Sequence, residues 1–167
     1  PVANMSLGGT FERRAASAKG GAGPSFIATI NQVFNYAHRK GTQMVVSAGN
    51  SNIDMDHDGN GYKAYCSAPN VVCVSATGPT AQAGVNGPWT QPDAKASYSN
   101  YGVSSINVAA PGGNGATAVW ASCSSFSLQI PVCQTGTFIV GLSGTSMASP
   151  HVAGVAALIS EDVGNNP

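Results

Sequence analysis

A chain of 167 residues suits one domain with enough length to bury a core. Seven basic residues balance seven acidic ones and only 8% of positions are charged, so the electrostatic footprint that nucleic acid or an anionic membrane would need is missing. The longest apolar stretches, such as residues 152–159, are too short to span a bilayer.

In chain order, residues 2–7 read as an apolar strand that ends at Gly8-Gly9, with no start methionine or leader in front of it. Because it opens inside a strand and stops just after a helix, the chain is expected to be a piece of a longer one. Residues 15–24 are small and Gly-rich, a loop. Ser25 then has the character of an N-cap, and Phe26, Ile30, Val33 and Ala37 follow at helical spacing with Ile27 and Phe34 alongside. His38, Arg39 and Lys40 place cations in the last turn, and Gly41 closes the helix.

Residues 44–48 form a continuous apolar run, the kind buried on both faces of a parallel sheet. Strand, helix and strand without a hairpin turn imply a right-handed crossover. Further strands are expected at 71–76, 106–110 and 138–140, with long loops at 78–94 and 122–137. A final helix runs to about Ser160, and Pro150 must lie in its first turn or kink it. The fold class is α/β, a mostly parallel sheet flanked by helices. Cys66, Cys73, Cys123 and Cys133 show no Cys-x-x-Cys spacing, and an even count in a chain of low charge favours an exported, disulfide-bonded protein. Proximity favours Cys66 with Cys73 and Cys123 with Cys133, among three possible connectivities.

Three stretches carry chemistry. Ser146 sits where a Gly-rich turn enters a nearly uncharged helix, at its positive end, which suits either a nucleophile or a helix cap. Ala148 excludes the Gly-x-Ser-x-Gly elbow. His151 cannot be the base for Ser146, because five helical residues put it roughly 140° round the axis and about 7.5 Å further along. Asn50 ends a strand that runs into a glycine, so its amide either projects into a cleft beyond the sheet or closes a local turn. Asp54, Asp56, Asp58 and Asn60 follow the Asp-x-Asp-x-Asp-Gly start of a calcium loop. Tyr65 at the twelfth position excludes a true EF-hand, and the alternative is a solvated acidic turn.

The run Gly144-Thr145-Ser146-Met147-Ala148-Ser149-Pro150-His151-Val152-Ala153-Gly154 resembles the nucleophile segment of the subtilisin-like serine proteases almost letter for letter. Ser47-Ala48-Gly49-Asn50 resembles the segment that supplies that family's oxyanion-hole amide, which implies that the Asn50 side chain and the Ser146 N–H hold a tetrahedral oxyanion. Asn4-Met5-Ser6-Leu7-Gly8-Gly9 resembles the strand that pairs with substrate. By this likeness Ser6, Leu7 and Gly8 wall one side of S1, the pocket for the side chain before the scissile bond, and Ala48, Gly49 and Asn50 wall the other. Residues 98–102 and 108–112 match two further landmarks, and details near Cys73 lean toward the proteinase K-like branch. In that branch the cysteine matching Cys73 can bond far along the chain. A calcium site after the strand at 71–76 uses an Asp where Gly78 stands here, so that site is not carried over.

The family orders its triad Asp, His, Ser, and neither the Asp motif nor the His-Gly-Thr-His-like segment occurs here. The resemblance therefore implies that residues 1–167 are the C-terminal portion of one peptidase domain, inactive alone. The complete protein would be a secreted, monomeric serine endopeptidase that acts on extended peptides through an acyl-enzyme on Ser146, and the acidic loop at 54–60 adds calcium as its expected cofactor. Two other classes stay open: a non-catalytic pseudoprotease that binds peptides, and an extracellular calcium-binding module.

Overall fold

The computed structural model describes residues 1–14, 23–84, 86–115, 117–136 and 138–164. In chain order it contains β1 (Val2–Met5), β2 (Gly9–Glu12), α1 (Gly23–Arg39), β3 (Gln43–Ser47), β4 (Gly61–Ala64), β5 (Val71–Thr77) and β6 (Ala81–Gln82). It continues with β7 (Trp89–Thr90), β8 (Val108–Pro111), β9 (Val119–Ser122), a 3₁₀ turn (Pro131–Thr135), β10 (Ile139–Leu142) and α2 (Thr145–Asp162).

Strands β1, β3, β5 and β8 make one parallel sheet in the order β1-β3-β5-β8. Period-2 alternation sorts its side chains between two layers. Val46 of β3 and Cys73 of β5 face a core with Ile30 and Phe34 of α1, while Val45, Val74 and Ala76 face the other side, with Ala148 of α2. Both central strands are apolar on both faces, as a parallel sheet covered by helices requires. No described helix is long and apolar enough to cross a membrane.

Several elements differ from the sequence expectation. Of the loop expected at 15–24, residues 15–22 lie outside the described residues. Residues 23 and 24 are already helical, with Pro24 in the first turn, where a missing N–H costs little. The inward stripe of α1 is Ile30 and Phe34, both buried, with Ile27 and Ala37 half-buried beside them, whereas Phe26 and Val33 are exposed. The i, i+3, i+7 spacing is thus kept, but rotated from the Phe26 face. Gly41 ends the helix in the left-handed region at φ +78.

The first strand leaves the sheet at Met5, and β2 turns to pair antiparallel with β4, a ribbon with no counterpart in the sequence reading. A Cβ on Gly8 would strike the Ala64 carbonyl, so that crossing needs a glycine. Residues 139–142 do not enter the parallel sheet but pair antiparallel with β9. Disulfides close Cys66–Cys73 and Cys123–Cys133, the two short loops that proximity favours.

Candidate active site

The first turn of any α-helix presents four N–H groups without intrahelical acceptors. In α2 the N-cap is Gly144, which has no side chain to cap them. The Thr145 N–H donates to Asn50 Oδ1 at 2.9 Å, and Met147 and Ala148 N–H reach the Gly144 carbonyl at 2.9 and 3.4 Å. The Ser146 N–H has no acceptor among the described residues. It points from the positive end of the helix, where negative charge is favoured.

Asn50 is fixed by the same bonds. Its Oδ1 also accepts the Thr145 hydroxyl at 2.8 Å, and that hydroxyl in turn accepts the Gly49 N–H at 3.1 Å. Two donors on one side leave only the oxygen able to face Thr145, which settles the amide orientation. Nδ2 is left without a partner among the described residues, 3.4 Å from where a Cβ on Gly144 would stand.

Asn100, buried in the loop before β8, holds the Asn50 loop from beneath. Its Oδ1 accepts the Ser51 and Ile53 N–H groups at 3.1 and 3.0 Å, and its Nδ2 donates to the Ala48 carbonyl at 2.7 Å. Its own N–H donates to the Gly49 carbonyl at 3.0 Å. Tyr98 steadies the nucleophile turn, because its hydroxyl donates to the Gly112 and Gly113 carbonyls at 2.8 Å each, and Gly112 O accepts the Gly144 N–H at 2.8 Å. Burial pushes the Tyr98 hydroxyl up to about 12, so it stays a donor at any working pH.

Pro150 lies in the second turn of α2, and its missing N–H leaves the Ser146 carbonyl without its helical partner. The Ser6 hydroxyl fills that vacancy, donating to Ser146 O at 2.8 Å and accepting from the buried Ser149 hydroxyl at 2.9 Å. Ser6 therefore braces the helix with its side chain. Among the described residues its backbone carbonyl is the one hydrogen-bond partner of Ser146 Oγ, at 3.4 Å.

Leu7, Gly8, Ala48, Gly49, Asn50 and Ser146 all line one cleft of about 290 Å³. The Ser6 side chain, turned into α2, does not. No histidine approaches Ser146. His151 Nδ1 contacts the Met147 carbonyl at 2.8 Å, His57 pairs with Asp54 at 2.9 Å, and His38 lies in the last turn of α1.

The acidic loop is arranged otherwise. Asp54 accepts the Asp56 N–H at 3.0 Å and contacts the His57 ring, whose pKa this bond raises. Asp56 accepts the Ser104 N–H at 3.0 Å, the Ser104 hydroxyl at 2.8 Å and the Ser105 N–H at 3.0 Å. These bonds, led by the Ser104 N–H, hold its carboxyl well below the usual carboxylate range. Asp58 faces Lys63 Nζ at 3.6 Å, and Asn60 exchanges bonds with the Arg14 backbone at 2.9 and 3.1 Å. Among the described residues no three acidic, His or Cys side chains converge as a metal cage, and each carboxylate of this loop has a partner within the protein. Sequence reading missed the supporting residues Thr145, Asn100, Ser149 and Lys63. The partners of Thr145, Asn100 and Ser149, and the Thr10 partner of Lys63, lie roughly 50 or more residues away, and a Thr beside a Ser carries no local sign of such a role.

The family model for the subtilase family matches residues 1–166. The chain is 37% identical to an extracellular protease of Xanthomonas campestris pv. campestris, over 95% of this chain and 20% of that protein. It is 35% identical to thermitase of Thermoactinomyces vulgaris, over 95% of this chain and 40% of that one. A solved protease of Pseudoalteromonas arctica superposes with a TM-score of 0.66 at 33% identity, covering 96% of this chain and 38% of that one. The chain thus spans well under half the length of each relative. On a family match that runs nearly from end to end, it belongs to the subtilase family.

Proposed function

We propose that this chain supplies the nucleophile and the oxyanion donors of a secreted serine endopeptidase, as the C-terminal portion of its peptidase domain. Ser146 Oγ attacks a peptide carbonyl while its proton passes to a histidine outside residues 1–167, and that histidine then protonates the leaving amine. Water, deprotonated by the same base, adds to the ester and releases the acid, which regenerates the serine. The oxyanion formed at each addition accepts from the Ser146 N–H and Asn50 Nδ2.

One observation carries the reading. Around the cleft the polar groups of Thr145, Asn100 and Ser6 are engaged within the protein, while the Ser146 N–H and Asn50 Nδ2 have no partner among the described residues and stand beside the Ser146 hydroxyl. Donors preorganised for a charge that exists only in the transition state look like this. Val155, Leu158 and Ile159, with Val163 just past its end, leave an apolar face of α2 uncovered, which supports a further portion of the domain packing there. The two disulfides and an extracellular relative support export.

A fluorophosphonate probe tests this on the full-length protein. Ser146 should be labelled there, and neither Ser146→Ala nor residues 1–167 alone should react. Absence of label on folded full-length protein would leave a non-catalytic, peptide-binding role.

A further inference from the structure

We propose that Lys63 makes the cleft beside Ser146 selective for an acidic side chain, glutamate ahead of glutamine, on the residue whose carbonyl is attacked. The proposal rests on the peptidase reading above and adds the substrate class. Its first support is position. In the β2–β4 ribbon Phe11 pairs with Tyr62 and Thr10 with Lys63. Phe11 and Tyr62 pack into the α1 core, so strand alternation sends Thr10 and Lys63 to the opposite face, where both line the cleft with Leu7, Gly8, Ala48 and Gly49.

The second support is charge. Among the described residues, Lys63 is the one charged residue that lines the cleft. Its side chain is only 9% exposed, and an ammonium so enclosed needs acceptors for three N–H groups. It has Thr10 Oγ1 at 3.3 Å and Asp58 Oδ2 at 3.6 Å, both long. A carboxylate entering between the glycine-lined walls would give it a short, charge-assisted partner. A lysine or arginine side chain would meet like charge instead. A large apolar side chain would bury the ammonium further without offering an acceptor.

The test compares kcat/KM of the full-length protease on peptides that differ only at that residue: Glu, Gln, Leu and Lys. Ratios between peptides cancel any loss of active enzyme in a variant. Glu should exceed Leu by about 10- to 100-fold, the worth of a hydrogen bond to a charged group, and Lys should be poorest. Lys63→Met should reverse the order of Glu and Leu, and Lys63→Arg should keep it. Asp58→Asn, which removes the neutralising neighbour, should raise the Glu to Leu ratio. A wild type that prefers Leu, or a Glu to Leu ratio unchanged by Lys63→Met, overturns the proposal while leaving the peptidase reading intact. A wild type that cleaves none of the peptides and takes no fluorophosphonate label overturns both.

Discussion

The turn at Ser146 and the loop at residues 54–60 both stand out in the sequence as chemical motifs, and the fold treats them in opposite ways. At the turn, bonds arrive from Ser6 just past β1 and from Asn50 in the loop after β3, a loop that Asn100 holds in turn, and among the described residues they leave two donors without partners. In the acidic loop each carboxylate is taken up nearby: Asp54 by its own turn, Asp56 by Ser104 and Ser105, Asp58 by Lys63. A motif shows only that reactive groups are close in sequence. Whether the fold leaves them free separates a site from a brace.

Substitutions sharpen that contrast, and the largest effect belongs to the nucleophile. In the full-length enzyme Ser146→Ala removes one oxygen and should abolish peptide hydrolysis with the thermal midpoint nearly unchanged. Asn50→Ala should lower kcat by roughly 10²–10³ with little change in KM, since the oxyanion exists only in the transition state. A rise confined to KM would mean that Nδ2 binds the ground state instead. Asn100→Ala tests the support beneath. It strands the Ser51 and Ile53 N–H groups and the Ala48 carbonyl, so it should cost about 2–4 kcal/mol of stability in denaturant titration. It should also lower kcat by releasing the Asn50 loop. Full activity in that variant would show that Thr145 alone holds Asn50.

These residues differ in how far the sequence revealed them. Strands β3 and β5 were legible because a run apolar on both faces suits only a covered parallel sheet. Ser146 and Asn50 were legible as positions because a serine at a Gly-to-helix junction, and an asparagine ending a buried strand, are local patterns, but these left a helix cap and a local turn open, and the roles proposed for them came from the resemblance to subtilase segments. Asn100 was not, since its role lies in acceptors and donors 47 to 52 residues away. The β2–β4 ribbon was missed because Gly9–Glu12 is too short and mixed to show a period, and it exists through pairing with Gly61–Ala64. The acidic loop was legible as a motif but not in its bonding. Its spacing is that of a cation loop, but the serines that take up Asp56 lie 48 and 49 residues away.

The smallest effect tests that loop. Asp56 bonds to backbone and hydroxyl donors only as a carboxylate, so its pKa is lowered in the folded state. A group lowered in this way adds stability above its ordinary pKa, and that contribution is lost as pH falls through the lower folded value. His57 has the opposite sign. Raised by Asp54, it contributes below its ordinary value and loses this as pH rises, but its ring is 82% exposed and the effect is screened. The thermal midpoint of the wild type should therefore drop between about pH 4 and the acid limit of folding, and Asp56→Asn should flatten that drop while lowering the midpoint at neutral pH. Adding calcium or chelator at neutral pH separates a brace from a cation site. If the loop is a brace, Asp56→Asn should lower the midpoint equally with calcium and with chelator. If calcium raises the wild-type midpoint and Asp56→Asn together with Asp58→Asn removes that rise, the carboxylates reorganise around an ion. The bonds to Ser104 and Ser105 would then describe only the metal-free loop.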